Sequence, residues 1–369
     1  MPTRLAPYTR FARARLLRDR PFYAHWAITH RCNLECKTCT TWTRGDISSE
    51  MDEDRIDELA RMLGRLGVMQ LSIGGGEPLV SDKLPHAVKA FQAEGIRVRV
   101  LTNGLGMKPS VAERMFKLGL REMSFSLDSL NPKVQEEIDA APGTFPIRIK
   151  NLLALAEMFP KKGLAVMNTI VFPDNLHELP RILELGKSVG FYLSFIPVHV
   201  PAKGKNHLFY RYDETLCFDK NREKEIRDAY AFLLDQKKRG APIVNSSVFL
   251  QKARIISFTA ARTGAAMRAS STFPSAPTAW SRRAISSKKN WETPIAEYEQ
   301  LRASKGYLDE VRERTAHCEE GCLRPCWAEP TFLMSHPSSL WEIARIHWKT
   351  LGRRPAFEPA AVHAILGTA

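Results

Sequence analysis

The sequence lacks any run approaching the roughly 18 uninterrupted apolar residues that a membrane-spanning helix needs, so no such span is expected. Its N-terminus is studded with arginine (Arg4, Arg10, Arg13, Arg15, Arg18, Arg20) but has no apolar stretch of the kind a secretory signal carries. A cytoplasmic protein is the expectation. Cysteine is scarce: seven residues, an odd number, are too few for a disulfide scaffold in a chain of 369. Six of the seven form two groups, Cys32, Cys36, Cys39 and Cys318, Cys322, Cys326, leaving Cys217 alone. Grouped thiols in a reducing compartment point to bound metal.

Acidic residues are missing from Gln236 to Trp291, where eleven lysines and arginines sit, so the rest of the chain carries only +3 of the net +14. Basicity is local. Within that stretch, Ser257 to Ser287 is mostly Ala, Ser, Thr, Arg and Pro without helical or strand periodicity. It reads as a loosely ordered insertion or as a stretch translated from a shifted frame. A basic patch is what nucleic acid binds, but this one lacks the regular aromatic interleaving of a stacking platform, and nucleic acid is not the expected partner.

What the chain has is a substantial core, with 44% apolar and 25% charged residues. Between residues 22 and 200, β-rich runs alternate with amphipathic segments, the pattern of a parallel sheet built from βα units. The expected strands are Tyr23 to Ile28, Met69 to Ile73, Arg97 to Thr102, Glu122 to Leu127, Leu164 to Val171 and Phe191 to Pro197. Helix starts are expected at Ser49 with Asp52, at Ser81 with Asp82, at Ser110 with Glu113 and at Asn131 before Pro132, and stops at Gly67, Gly95 and Gly119. Six units suit a partial (β/α)6 barrel, although spacing alone also allows a doubly wound sheet. The organisation expected is a basic N-terminal segment (1–21), the barrel core (22–200), a loop and helix connection (201–256), the irregular Ala/Ser/Arg segment (257–290) and a small C-terminal extension with the second cysteine group (291–369).

Cys32, Cys36 and Cys39 follow the first strand directly, and three thiolates within eight residues can wrap one compact inorganic centre. Structural zinc wants a fourth ligand, for which His30 is the neighbour; a 4Fe-4S cluster held by three cysteines keeps one iron open for a small molecule. The spacing Cys-x3-Cys-x2-Cys after a first barrel strand resembles the radical S-adenosylmethionine (radical SAM) enzymes, and the resemblance covers roughly Phe22 to His199. It implies that these cysteines hold a 4Fe-4S cluster and that S-adenosylmethionine chelates the open iron. Reductive cleavage of that molecule would then release a 5′-deoxyadenosyl radical that abstracts hydrogen from a substrate, in an oxidoreductase or transferase type of reaction. One departure is Thr38, where the family usually has an aromatic residue before the third cysteine; Trp42 lies nearby.

The other strand ends match the same family. Gly74-Gly75-Gly76-Glu77-Pro78 resembles its Gly-Gly-Glu motif, implying that Gly75, Gly76 and Glu77 hold the methionine amino group. Asn103, Ser126, Asp128 and Asn168, with Asn175 beyond, resemble its polar strand tips, implying contacts to ribose and carboxylate; capping and turn roles are the plain alternative for these residues. Cys318, Cys322 and Cys326 resemble part of a SPASM or twitch extension, implying an auxiliary iron-sulfur cluster, with zinc and His317 as the alternative. The substrate implied is a peptide, a natural product or a cofactor precursor, and the electron donor a flavodoxin or ferredoxin. With the triad beginning at residue 32, neither a leader-binding nor a cobalamin domain is expected ahead of it. The competing expectation is a degenerate or non-catalytic iron-sulfur or zinc protein that contacts nucleic acid through the basic stretch.

Overall fold

The computed structural model describes residues 21–47, 50–201, 203, 210–254, 338–339, 341–342 and 357–367. The irregular segment Ser257 to Ser287, the helix expected at Thr293 to Val311 and the second cysteine group lie outside the described residues. Strands β1 (Tyr23–Thr29), β2 (Gln70–Gly75), β3 (Arg97–Thr102), β4 (Glu122–Ser126), β5 (Leu164–Val171) and β6 (Tyr192–Pro197) form one sheet. Its order is β1-β2-β3-β4-β5-β6 and all neighbouring pairs are parallel. A doubly wound sheet reverses its order at a switch point; this one never does, which leaves the partial barrel. No helix among the described residues is long and apolar enough to cross a membrane.

The helices pack on the outer face. Helix α1 (Glu53–Leu66) buries Ile56, Ala60, Leu63 and Leu66, an i, i+4, i+7 stripe, against Leu71 and Ile73 of β2 together with Val88 and Phe91 of α2 (Leu84–Ala93). Helices α3 (Pro109–Lys117), α4 (Pro132–Asp139), α5 (Phe145–Lys162), α6 (Leu179–Ser188) and α7 (Glu223–Lys238) follow. The second half of the barrel has its own core of Met123, Phe125, Leu152, Leu155, Phe159, Leu193 and Phe195.

Three helix starts differ from expectation. Asp52 caps α1, its carboxylate accepting from Arg55 N at 2.9 Å, and Ser49 lies outside the described residues. Ser81 instead closes the short turn Pro78–Val80, so α2 begins at Leu84 with Pro85 in its first turn. In α3 Pro109, whose ring presets a helical φ, starts the helix one residue before Ser110. Asn131 is the cap expected, accepting from Lys133 N at 3.0 Å.

Beyond β6 the connection holds more order than expected. Ile243 pairs with Leu193 in parallel, Leu193 N donates to Pro242 O and Val244 N to Leu193 O, both at 2.8 Å, and Phe195 N donates to Asn245 Oδ1 at 2.7 Å. A reduced seventh strand thus extends the sheet and runs into a helix over 247–254. Near the C-terminus, the helix Pro359–Leu366 packs on α6, with Val362 buried, Glu358 N donating to Ser188 O at 2.7 Å and Arg181 Nη2 donating to Ile365 O at 2.6 Å.

Candidate metal centre

All six strands run the same way, so their C-terminal ends share one rim, and the cysteine loop begins there. The β1 to β2 register skips Ile28 between Ala27↔Gly74 and Thr29↔Gly75, a bulge that re-aims the strand as it enters the loop. Cys32, Cys36 and Cys39 are all free and half-buried. The loop is fixed at several points that do not depend on sulfur. Arg31 Nε pairs with Glu50 Oε1 at 2.8 Å, and Thr29 Oγ1 donates to the same oxygen. Lys37 N donates to Ile138 O at 2.8 Å, and Trp42 Nε1 to Cys39 O at 3.0 Å. Trp42 therefore braces the loop at the third cysteine.

The glycine turn packs directly on this loop. Gly76 N donates to Thr29 O at 2.8 Å and Glu77 N to Arg31 O at 2.9 Å. Gly75 has φ +120°, and a Cβ on Gly76 would lie 2.0 Å from Arg31 O, so neither position has room for a side chain. We predict that Gly76→Ala lowers the unfolding free energy by about 2 kcal/mol and displaces the cysteine loop, read as a lower melting temperature together with reduced iron uptake after anaerobic reconstitution. Normal uptake in this variant would show that the glycine contact does not seat the loop.

Glu77 is buried, and its two oxygens accept from Thr102 Oγ1 (2.8 Å), Leu79 N (3.1 Å) and Asn103 N (2.7 Å). Burial pushes its carboxyl above the ordinary range against these donors. Asn103 also reaches the cysteine loop, its Nδ2 donating to Asn33 Oδ1 at 2.8 Å. Asp128 accepts from Ile170 N at 2.7 Å and is pushed up to about 7, chiefly by burial. Ser126 and Asn168 are register partners, and Asn168 is in turn opposite Ser194, giving a polar row across β4, β5 and β6. Ser194 is missing from the sequence expectation. Asn175 departs from it: fully buried, its amide donates to Asp128 O and Ile170 O and its oxygen accepts from Phe172 N, so it is spent on a turn.

The donor set can be tested against an iron-sulfur centre. Burial pushes the Cys32 thiol up to about 11 and Cys36 higher still. The acids nearest them, Glu77 for Cys32 and Asp139 for Cys36, push the same way. Thiolates in such surroundings need a bound cation, and Thr41 N already donates to Cys39 Sγ at 3.3 Å, a bond of the kind that tunes cluster sulfurs. Among the described residues no three His, Cys, Asp or Glu side chains converge as ligands of a single ion, His30 included. Three free thiols on one loop are the donor set that a 4Fe-4S cluster with one open iron takes.

Sequence reasoning missed the groups behind Cys36. Asp139 Oδ1 lies 3.8 Å from Cys36 Sγ, Arg148 Nη2 lies 2.6 Å from Asp139 Oδ2, and Gln135 joins them to the β4 tip. A signal existed: Arg148 falls on the apolar stripe of α5 with Leu152, Leu155 and Phe159, where a charge needs a buried partner.

Comparison with known proteins agrees with this geometry. Residues 26–186 match the model of the radical SAM superfamily. The chain is 28% identical over 171 residues to the AdoMet-dependent heme synthase of Methanosarcina barkeri, covering 45% of this chain and 47% of that one. It is 32% identical over 192 residues to the mycofactocin maturase MftC of Mycobacterium ulcerans, half of each chain. The chain spans about half the length of these curated relatives. Streptococcus suis SuiB bound to precursor peptide SuiA shares the fold at TM-score 0.54 and 14% identity, over 90% of this chain and 77% of that one. Residues 26–186, which hold both the cysteine loop and the glycine turn, are thus the part of the chain that is similar to the radical SAM superfamily.

Proposed function

We propose that this protein is a radical SAM enzyme that abstracts hydrogen from a peptide, a natural product or a cofactor precursor. The observation that carries the reading is the packing of the Gly75-Gly76-Glu77 turn onto the loop of Cys32, Cys36 and Cys39 at the shared C-terminal rim of six parallel strands. When bound, the cofactors supply one electron from the reduced 4Fe-4S cluster to the sulfonium of S-adenosylmethionine and so a 5′-deoxyadenosyl radical. The protein's residues do the holding. Cys32, Cys36 and Cys39 ligate the cluster, and Gly75, Gly76 and Glu77 face the methionine end. Asn103, Ser126, Asp128 and Asn168 offer polar contacts along the rim. The helices covering the outer face direct access to the concave side.

The substrate classes rest on the names of relatives, which include a PqqA peptide cyclase, a maturase and a heme synthase. A flavodoxin or ferredoxin delivers the electron, in the cytoplasm. Cys318, Cys322 and Cys326 hold an auxiliary iron-sulfur cluster in the extension at 291–369. The reading is tested by anaerobic incubation of the reconstituted, reduced protein with S-adenosylmethionine. Formation of 5′-deoxyadenosine is expected; iron-loaded protein that forms none would assign the chain to the non-catalytic members.

A further inference from the structure

We propose that the Asp139–Arg148 pair, with Asp139 held beside Cys36 by Arg148 and Gln135, sets the reduction potential of the centre Cys36 helps to hold. This rests on the reading of the three cysteines as cluster ligands. The middle of the cysteine loop docks on the C-terminal end of α4: Lys37 N donates to Ile138 O, Lys37 Nζ pairs with Glu137, and Cys36 Sγ reaches Asp139 Oδ1 at 3.8 Å. Asp139 is fixed from three sides. Gln135 Nε2 donates to its Oδ2 at 3.1 Å while Gln135 Oε1 accepts from Asp128 N and Ser129 N, tying it to the tip of β4. Arg148 Nη2 lies 2.6 Å from the same Oδ2. The next residue, Ala140, has φ +52°, the only positive φ outside glycine among the described residues, so the backbone that aims Asp139 is itself in a disfavoured conformation.

The placement has an electrostatic logic. Three thiolates make the centre anionic, and a carboxylate 3.8 Å from one of its sulfurs adds to that charge. Arg148, 1% exposed, brings a compensating cation to the carboxylate and acts on Glu77 and Asp128 as well. Its Nη2 lies against Asp139 Oδ2, while its Nε has no hydrogen-bond partner. A buried ion pair of that quality is a poor way to stabilise a fold, since apolar residues of similar volume serve as well. It is an effective way to place opposed charges beside a redox centre, whose potential responds to net charge and to hydrogen bonds at sulfur.

The test is a redox titration of the full chain, reconstituted anaerobically with iron and sulfide and followed by electron paramagnetic resonance, with iron content and circular dichroism measured in parallel. Asp139→Asn keeps the shape and removes a negative charge, so the midpoint is expected to rise. Arg148→Gln leaves the carboxylate uncompensated, so the midpoint is expected to fall, and Arg148→Lys is expected to bring it back toward the unaltered value. A merely structural pair would not give shifts of opposite sign. Midpoints that stay put or move together overturn the proposal, as does an Arg148→Gln variant whose only defect is weaker binding of S-adenosylmethionine. If Arg148→Gln yields no folded protein, Asp139→Asn decides alone, an unmoved midpoint being the overturning result. Failure of the unaltered chain to take up iron refutes the cluster reading itself, whereas full iron with unmoved midpoints refutes only this inference.

Discussion

Alanine in place of any one of Cys32, Cys36 or Cys39 is expected to abolish 5′-deoxyadenosine formation while leaving the melting temperature within about 2 °C of the unaltered chain. Both halves of the result follow from how the loop is built. The loop is seated by Glu77 N on Arg31 O, Arg31 on Glu50, Lys37 N on Ile138 O and Trp42 on Cys39 O, all through backbone or non-sulfur side-chain atoms. None of the three cysteines belongs to the buried apolar core, so removing a sulfur takes away a ligand without opening a cavity. With only two thiolate ligands the cluster is expected to be lost, and with it the electron source that the proposed reaction needs. Iron analysis, product chromatography and thermal melting of each variant check the prediction. A variant that keeps both iron and product would remove that cysteine from the ligand set. Gly76→Ala makes the contrasting case, because there the clash with Arg31 O costs stability and iron together.

The strands were the most legible part of the fold. Arg97–Thr102 and Leu164–Val171 match their sequence-derived bounds, and the other four agree within one or two residues. Parallel strands covered by helices are near-continuous apolar runs, and helix-stop glycines such as Gly67, left-handed at φ +84°, punctuate them. Helix starts were harder to read, since several polar residues precede each helix and tertiary partners decide which one caps. Glu50 is drawn to Arg31 in the cysteine loop, and Asp52 is left to cap α1. The reduced seventh strand at Ile243 was invisible because Ala241-Pro242-Ile243 is too short and too proline-interrupted to carry a strand pattern.

At the site, the spacing of the first three cysteines and the glycine turn could be recognised, but the job of the glycines could not. Sequence reasoning assigned them to close approach of a ligand; Gly75 and Gly76 also spend their freedom on close approach to the protein's own cysteine loop. The link from Cys36 through Asp139 to Arg148 joins residues 103 and more positions apart, a distance no local pattern spans.

Glu122→Gln is expected to lower stability at neutral pH by about 3 kcal/mol and to flatten the acid limb of the stability profile. Glu122 sits at the N-terminal end of β4, where the register sets Arg99 opposite it and Gln70 opposite Arg97. Its carboxylate accepts from Gln70 Nε2 at 2.8 Å and from Arg99 Nη2 at 2.9 Å, and pairs with Arg97. Burial alone would push this carboxyl up; the guanidinium groups of Arg99 and Arg97, with the Gln70 amide, outweigh it and hold it at about 2. A carboxyl depressed in the folded state from its usual 4.5 contributes stability that is fully present above about pH 4.5 and is lost as pH falls toward 2. At about 1.4 kcal/mol per unit the contribution is about 3 kcal/mol. Glutamine keeps the volume and one acceptor but leaves two arginines facing each other without a counter-charge; both retain some contact with water, which keeps the loss near the lower end for a broken buried pair. Urea titrations at pH 7 and at steps from pH 5 to 2.5 measure both effects. Equal acid slopes in the two proteins would mean that another carboxylate governs acid unfolding, and that this network closes the bottom of the barrel without setting its pH limit.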